Sequence, residues 1–270
     1  MRFAQDFWLS LPHKASRKHL NSRPTSSPIF GFPSLLISIT KKFWKILAII
    51  TFLLPSTYVY AENIVFPADA GVINARDFGA KGDGVTDDTA AIQAAISKSG
   101  GRGVAYLPNG TYLVSSTLNW TGRATRTILQ GQSREGTIIK LKDRCAGFDN
   151  PKKPHAVIVT GYFPPQRFRN AIRNLTVDTG KFNHGAIGIR FNASNQGQMN
   201  TVAIRSGDGS GVIGLDMGYT GDIGPLLISD LKVSGFDVGI YTAYATAYQV
   251  LEHISLENQR WYGWVNDGQT

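Results

Sequence analysis

The chain of 270 residues contains a single cysteine, Cys145. One cysteine excludes an internal disulfide and any metal site built from a cysteine cluster. No histidine adjoins it in the sequence, so we interpret Cys145 as a buried or unreactive thiol rather than a nucleophile.

Excess charge is also missing from most of the chain, although the whole sequence carries a net charge of +9. Residues 1–61 hold eight basic side chains and one acidic side chain, which leaves a net charge of only +2 for residues 62–270. This near balance removes any argument from whole-domain charge for nucleic-acid binding.

The sequence has no apolar run long enough for a permanent membrane anchor. Its longest candidate covers the nine residues 46–54, whereas a hydrocarbon layer of ~30 Å needs about 20 residues. Lysines precede this run, and a small-residue ending at Ala61 follows it, which is typical of a secretory signal peptide over residues 41–61. We expect a secreted protein without a stable membrane anchor after cleavage; an uncleaved anchor over residues 43–61 is the alternative.

Residues 1–40 are rich in serine, proline and basic residues and show no period. We predict that this segment is disordered, or that the start codon is assigned too far upstream. The remaining residues, 62–270, are enough for one domain.

The region from residue 174 to residue 265 repeats two short patterns four times. The first pattern is a small or polar residue followed by branched-apolar, any, branched-apolar; the second is a glycine followed by an apolar residue. The first pattern begins at Asn174, Thr201, Asp230 and His253, and the second at Gly188, Gly214, Gly239 and Gly263. Successive copies lie 27, 29 and 23 residues apart in the first series and 26, 25 and 24 in the second.

Two parallel series with this period indicate coils that stack, because each coil is too small to bury its own apolar side chains. We therefore predict an all-β fold, a single-stranded, right-handed parallel β-helix. In it Leu175, Val202, Leu231 and Ile254 lie one above the other. A β-sandwich with accidental spacing is the alternative.

A short helix is predicted to cover the first coil. Residues 90–97 favour a helix that begins after Thr86 or Asp87, with Ile92 and Ile96 on one face. After Trp264, which we predict to pack inward, no capping segment follows. We therefore expect residues 62–270 to be an incomplete β-helix domain with an open apolar edge, and the sequence leaves its oligomeric state open.

The segment from Asp77 to Ile96, followed by Tyr106-Leu-Pro-Asn-Gly-Thr-Tyr112, resembles the opening of the pectate-lyase superfamily domain called rhamnogalacturonase A/B/epimerase-like. The resemblance spans about residues 72–270. It implies an extracellular, carbohydrate-active β-helix that acts on a polysaccharide. It implies no catalytic set, because the Asn-Thr-Asp, paired Asp and Gly-His-Gly motifs of polygalacturonases and the arginine motif of the lyases are missing at the matching positions.

Glycoside hydrolysis needs two carboxylates about 5 to 10 Å apart, and neighbouring rungs of a β-helix are separated by roughly 4.8 Å. The catalytic candidates are Asp178, Asp208 and Asp216, with solvated turn residues as the alternative interpretation. Asp83, Asp87 and Asp88 are clustered, but turns and helix capping explain them, so we predict neither a metal site nor a cofactor.

The segment from residue 190 to residue 198 is the best candidate for substrate binding, because amides match the paired hydroxyls of a sugar. Its candidate residues are Arg190, Asn192, Asn195, Gln196 and Gln198. Laminarinase-type relatives carry a similar glutamine-rich stretch. A plain polar loop is the alternative.

The signal-peptide pattern predicts secretion, and the family resemblance implies an enzyme that degrades a plant or algal polysaccharide. The favoured type is a glycoside hydrolase, either polygalacturonase-related or similar to exo-β-1,3-glucanases. Its catalytic residues can lie outside this chain. The alternatives are a polysaccharide lyase or epimerase, and a non-catalytic carbohydrate-binding or tailspike-like β-helix.

Cleavage of the signal peptide is directly testable. Because a small-residue ending precedes Glu62, the protein recovered from the culture medium is expected to begin at Glu62. Intact-mass spectrometry of that protein measures the N-terminus, and retention of Met1 would contradict the assignment.

Overall fold

The computed structural model describes residues 62–101, 103–120, 126–161, 167–220, 223–243 and 248–268. The predictions for residues 1–40 and 41–61 lie outside these residues. Within the described ranges, no helix combines the length and the apolar character needed to cross a membrane.

The described residues form sixteen strands and one α-helix, together with a 3-10 helix at Ala75–Phe78. In chain order the elements are β1 (Ile73–Asn74), β2 (Asp83–Asp87), α1 (Thr89–Ser99), β3 (Val104–Leu107), β4 (Gly110–Val114), β5 (Leu118–Asn119), β6 (Ile128–Gly131), β7 (Thr137–Leu141), β8 (His155–Val159), β9 (Ala171–Asp178), β10 (Ala186–Arg190), β11 (Gly197–Arg205), β12 (Ile213–Asp216), β13 (Leu226–Ser234), β14 (Val238–Thr242), β15 (Gln249–Glu257) and β16 (Tyr262–Asn266).

The strands pair in parallel into two sheets. Sheet 1 has the order β1-β3-β6-β9-β11-β13-β15, with β2, β4 and β7 joined to it through β9, and sheet 2 has the order β16-β14-β12-β10-β8-β5. From β9 onward the chain alternates between the sheets, so that each coil contributes one strand to each. This confirms the predicted right-handed parallel β-helix.

The predicted aliphatic column is present. Leu175 pairs with Val202, Val202 with Leu231, and Leu231 with Ile254. The first three side chains are fully buried, and Ile254 is partly buried and packs against the core. Each buried aliphatic side chain is expected to contribute about 1.5–3 kcal/mol to folding.

The first residue of each predicted repeat forms a corner in the backbone. Asn174, Thr201, Asp230 and His253 have φ angles of 52°, 53°, 50° and 52°, in the left-handed region. The ladder pairs residues on both sides of these positions and omits the corner residues themselves. The strands of sheet 1 therefore extend three or more residues before the repeat that the sequence shows.

Glycines in sheet 2 allow the two sheets to approach each other closely. A Cβ at Gly214 would contact the side chain of Val233 and lie 2.8 Å from the carbonyl oxygen of Gly239. A Cβ at Gly188 would contact Ile204. The first three glycines of the second repeating series, Gly188, Gly214 and Gly239, are thus positions where only a hydrogen fits, whereas Gly263 in the last strand has room for a Cβ.

Helix α1 packs with Ile92, Ala95 and Ile96 buried in the same core. Its start differs in detail from the prediction: Asp87 accepts a hydrogen bond from the Thr89 amide (3.0 Å), whereas Thr86 has no capping contact. Asp88 occupies the cap position, and its carboxylate accepts hydrogen bonds from the amides of residues 81 and 82. The role of helix α1 in covering the first coil stays a prediction.

Trp264 pairs with Ile240 and so occupies the inward register position, yet it is 47% exposed. Its indole Nε1 donates a hydrogen bond to the Thr242 hydroxyl at 3.0 Å. Because β16 is the last described strand of sheet 2, no described side chain packs on its far side. Full burial of Trp264 is therefore not observed in the described coils.

The column makes a sharp prediction for Leu231. Leu231→Asp places an unpaired charge in the dry core, and we expect cooperative thermal unfolding to be lost. Lys232→Asp on the exposed neighbouring position is the control and is expected to change stability by about 0.5 kcal/mol or less. Circular dichroism melting measures both; a cooperative melt of Leu231→Asp near the wild-type temperature would contradict the inward assignment.

Candidate functional site

Charged and polar side chains concentrate where the strands of sheet 2 end and those of sheet 1 begin. We call this side of the β-helix the turn edge; it comprises the described parts of residues 120–127, 160–170, 190–196, 216–225 and 241–248. Loops at strand ends carry side chains that the rigid coils below hold in place.

A buried ion pair lies at the turn edge. Arg190 ends β10, Asp216 ends β12, and the two residues are direct partners in the parallel ladder. Arg190 Nε lies 3.0 Å from Asp216 Oδ2, and the side chains are 19% and 4% exposed. The amide of Gly218 donates a second hydrogen bond to Asp216, at 3.1 Å.

Burial dominates the titration of Asp216. Removal of the carboxyl group from water raises its pKa, and the charge and hydrogen bond of Arg190 and the amides of Gly218 and Tyr219 oppose this effect only in part. The pKa of Asp216 therefore lies above its ordinary value.

Two tyrosines accompany the ion pair. The hydroxyl of Tyr219 donates a hydrogen bond to the Gly161 carbonyl at 2.5 Å, and the Arg190 guanidinium lies 5.7 Å from its ring centre. Tyr241 pairs with Asp216 in the ladder, is half-buried, and donates a hydrogen bond to Asp267 at 3.4 Å. Neither tyrosine belongs to the site residues predicted from the sequence.

A cavity of about 440 Å³ opens at the same edge. Its lining combines basic, amide and apolar side chains, namely Arg126, Phe168, Arg169, Asn195, Gln196 and Pro225. Each of these lies just before a strand of sheet 1, so the cavity extends along the helix axis across successive coils.

Much of the cavity lining has a strained backbone. Arg126, Arg169, Asn195 and Gln196 have φ angles of 59°, 59°, 42° and 75°, which costs roughly 1–3 kcal/mol for each non-glycine residue. The Arg126 amide donates to the Phe168 carbonyl at 2.7 Å, and the Arg169 amide to the Ser194 carbonyl at 3.0 Å. These bonds between coils hold the left-handed turns, and such strain clusters at ligand sites.

Arg126 and Arg169 differ in their charge partners from the four ion-paired arginines of the domain. Arg134, Arg190, Arg205 and Arg260 each form an ion pair with a carboxylate. The guanidinium groups of Arg126 and Arg169 have no such pair with any residue in the described ranges. They therefore give the cavity a positive charge that is available to an anion.

The structure separates the predicted binding residues. Asn195 and Gln196 line the cavity, and Arg190 lies at the turn edge but is held by Asp216. Asn192 is fully buried, and the nitrogen and oxygen of its side-chain amide have no hydrogen-bond partner among the described residues. Gln198 is half-buried on β11 and is not part of the cavity lining.

The structure does not bring the three candidate aspartates together. Asp178 ends β9 and binds Arg205 at 2.8 Å, on the opposite side of sheet 2 from Asp216. Five residues of β10 separate the two sides, which is roughly 16 Å at ~3.3 Å per residue. Asp208 lies in a turn on the Asp178 side. Partial burial raises its pKa, but hydrogen bonds from the hydroxyls of Ser210 and Ser206 and from the amides of Phe182 and Ser210 outweigh this effect and lower it.

The clustered carboxylates near α1 are used by turns, as expected. Asp83 accepts hydrogen bonds from the amides of Thr86 and Val85, which lower its pKa to about 2. Asp87 accepts hydrogen bonds from the hydroxyls of Ser115 and Thr89. Within the described ranges, no group of three or more metal-ligating side chains is found.

The family comparison agrees with this architecture. Residues 72–263 match the family model described as rhamnogalacturonase A/epimerase, pectate lyase-like. The chain belongs to this family. The expectation drawn from the opening segment of the domain is thereby confirmed.

Individual relatives have several activities. The chain is 38% identical over 116 residues to mannuronan C5-epimerase AlgE6 of Azotobacter vinelandii, a match of 41% of this chain and 13% of that protein. It is 32% identical over 120 residues to a glucan 1,3-beta-glucosidase of Cochliobolus carbonum, 39% of this chain and 15% of that protein.

A solved structure shows the same fold. The A-module of mannuronan C-5 epimerase AlgE4 from Azotobacter vinelandii superposes with a TM-score of 0.55 at 24% identity, covering 72% of this chain and 53% of that one. The chain thus spans about half of this module and less than a sixth of the two curated relatives.

The raised pKa of Asp216 can be measured by carbon-13 NMR of its carboxyl group. We expect titration above the ordinary value of 3.8. Since the folded state then holds the proton more tightly than the unfolded state, the contribution of this group to stability is present below pH 3.8 and is lost as the pH rises through the folded pKa.

Arg190→Gln is expected to raise the pKa of Asp216 further, because it removes the charge and hydrogen bond that lower it. Arg205→Gln, which breaks the matching ion pair with Asp178 on the other side of sheet 2, is the control and should leave Asp216 unchanged. Titration of wild-type Asp216 at or below 3.8 would refute the assignment.

Proposed function

We propose that this chain belongs to a secreted enzyme that removes the C5 proton of a polyuronate, as a lyase or as a C5-epimerase. The observation that carries the proposal is the composition of the turn edge. It offers arginines, tyrosine hydroxyls and one ion-paired carboxylate, and not the two nearby carboxylates that glycoside hydrolysis uses.

The C5 hydrogen of a uronate lies next to its carboxylate, so its removal places further negative charge on that group. A guanidinium that contacts the carboxylate stabilises this charge. Arg126 and Arg169 are suited to this role because no described carboxylate neutralises them.

Proton transfer needs a group that gives up or accepts a proton at the sugar ring. Tyr241 is the best-placed candidate, since it is half-buried and lies directly beside Asp216 in the ladder. Asp216 itself is nearly inaccessible, and its role is to hold Arg190. Return of a proton to the opposite face inverts C5, whereas loss of the oxygen at C4 leaves an unsaturated sugar.

The relatives support the substrate class. The similarity to a mannuronan C5-epimerase covers 41% of the chain, and mannuronan is a polyuronate. The signal-peptide pattern of residues 41–61 supports export, which gives the enzyme access to a polymer outside the cell.

Hydrolysis of a β-1,3-glucan is the second candidate. The similarity to a glucan 1,3-beta-glucosidase favours it, as do the amides of Asn195 and Gln196 in the cavity, which suit neutral hydroxyls. It requires a second carboxylate near Asp216. The described residues of the turn edge provide none, and Asp267, which follows β16 about two rungs away, accepts a hydrogen bond from Tyr241.

Incubation of the purified chain with polymannuronate, polygalacturonate and laminarin separates these functions. We expect unsaturated uronates by ultraviolet absorbance, or inverted C5 centres by proton NMR, from a polyuronate. New reducing ends from laminarin without either uronate product would establish the second candidate and refute the first, and the absence of both uronate products from every polyuronate would also refute it.

Within the proposed function, Tyr241→Phe tests proton transfer. Loss of the hydroxyl is expected to lower kcat about 10²–10⁴-fold with little change in KM. Tyr262→Phe, an exposed tyrosine on the neighbouring strand β16, is the control and should retain wild-type kcat. An unchanged kcat for Tyr241→Phe would remove Tyr241 from the reaction.

A further inference from the structure

The cavity at the turn edge follows the register of the strands of sheet 1, with one shift. Ile128 pairs with Ala171, Ala171 with Gln198, and Gly197 with Leu226. Counting back along the strands aligns Arg126 with Arg169 and Gln196 with Pro225. Between these two pairs the register shifts by one residue, because the bridge between Phe168 and Ser194 places Asn195 opposite Arg169. Four cavity residues thus lie on four successive rungs: Arg126, Arg169, Gln196 and Pro225. They form a column parallel to the helix axis, which we call the arginine column.

Adjacent members of the arginine column are one rung apart, roughly 4.8 Å. This spacing is close to the length that one pyranose ring adds to an extended glycan. A glycan that lies along the axis therefore presents about one sugar to each rung, so that consecutive sugars face consecutive members of the column.

The charge of the column changes along its length. Two guanidinium groups occupy the first two rungs, an amide the third and a proline the fourth. The two like charges repel each other, and no described carboxylate offsets them. Binding of an anion beside both therefore relieves an unfavourable interaction as well as forming charge-assisted hydrogen bonds.

The guanidinium geometry favours carboxylates. The planar fork of arginine matches the two oxygens of a carboxylate. Phe168 lies next to Arg169 and is part of the same lining, so that an apolar ring face is available to the C–H face of a sugar. The backbone of both arginines is fixed by hydrogen bonds to the next coil, which reduces the entropy lost on binding.

We propose that the arginine column binds two consecutive uronates of a glycan chain that lies parallel to the helix axis, with Arg126 and Arg169 each contacting one carboxylate. Gln196 and Pro225 then contact the following sugars through uncharged groups. This inference rests on the proposed function for its substrate class and adds the position, orientation and charge pattern of the bound chain.

Calorimetric titration with a linear trimer of mannuronate or galacturonate tests the arginine column, with Arg126→Asn, Arg169→Asn and the double variant. Asparagine tolerates the left-handed backbone at these positions. Each single substitution is expected to weaken binding at least ~10-fold, from the loss of one charged hydrogen-bonded contact, and the double variant more than either.

Arg144→Asn is the matched control. Arg144 also has a left-handed backbone, with φ of 51°, but it stacks on Phe182 on the other side of sheet 2. It is expected to bind the trimers like wild type. Equal weakening by Arg144→Asn, or unchanged affinity in the double variant with an unchanged melting temperature, would overturn the proposal.

Modified trimers test the chemistry of the contact. Methyl esterification of the carboxylates should weaken wild-type binding and abolish the difference between wild type and the arginine variants. A sulfated galactan trimer that binds as tightly, with the same dependence on both arginines, would show a general anion site and refute the assignment to carboxylates.

Binding and turnover separate this inference from the proposed function. Arginine-dependent binding of uronate trimers without unsaturated or inverted products would leave the arginine column intact and refute the proposed reaction. Turnover of a polyuronate with wild-type affinity in the double variant would support the reaction and place its carboxylates elsewhere.

Discussion

The whole domain depends on vertical superposition, because each coil is stable only when its inward side chain lies on the inward side chain of the coil below. The parallel ladder fixes this alignment through backbone hydrogen bonds, and the dry column of Leu175, Val202 and Leu231 stabilises it. The position of every residue outside the column along the helix axis is then fixed as well. The side chains of the turn edge are therefore positioned by packing that they do not themselves contribute.

The same constraint explains what the sequence reveals. Inward aliphatic residues and sheet 2 glycines recur because every coil needs them, so the period was visible without coordinates. Arg190 and Asp216 are 26 residues apart, and Asp178 and Arg205 are 27, in each case about one coil length. Opposite charges at that spacing form ion pairs across adjacent rungs, so these pairs were also open to prediction from the sequence.

Other features leave no such trace. The corner positions are filled by asparagine, threonine, aspartate and histidine, and no glycine marks their left-handed backbone. The repeat in the sequence therefore marks only the part of each strand from the corner onward. The arginine column contains arginine, glutamine and proline on successive rungs. These side chains share no residue type, so no repeating pattern in the sequence connects them.

The turn edge also contains features that lower the stability of the coils. Left-handed arginines and a buried carboxylate are unfavourable in isolation, and each is retained because the ladder beside it is strong. Residues with unfavourable local conformations at one edge, next to regular strands, are typical of sites that select a ligand.

Close packing of the two sheets at the glycine positions of sheet 2 fills the centre of the described coils with side chains. A ligand of any size therefore meets this protein only from outside, along its length. Because the turns project from the core and contribute little to its packing, an insertion in one turn changes the outer surface while the stacked coils stay the same. A scaffold of this kind is suited to diversification by turn length, with one coil free to vary while its neighbours remain unchanged.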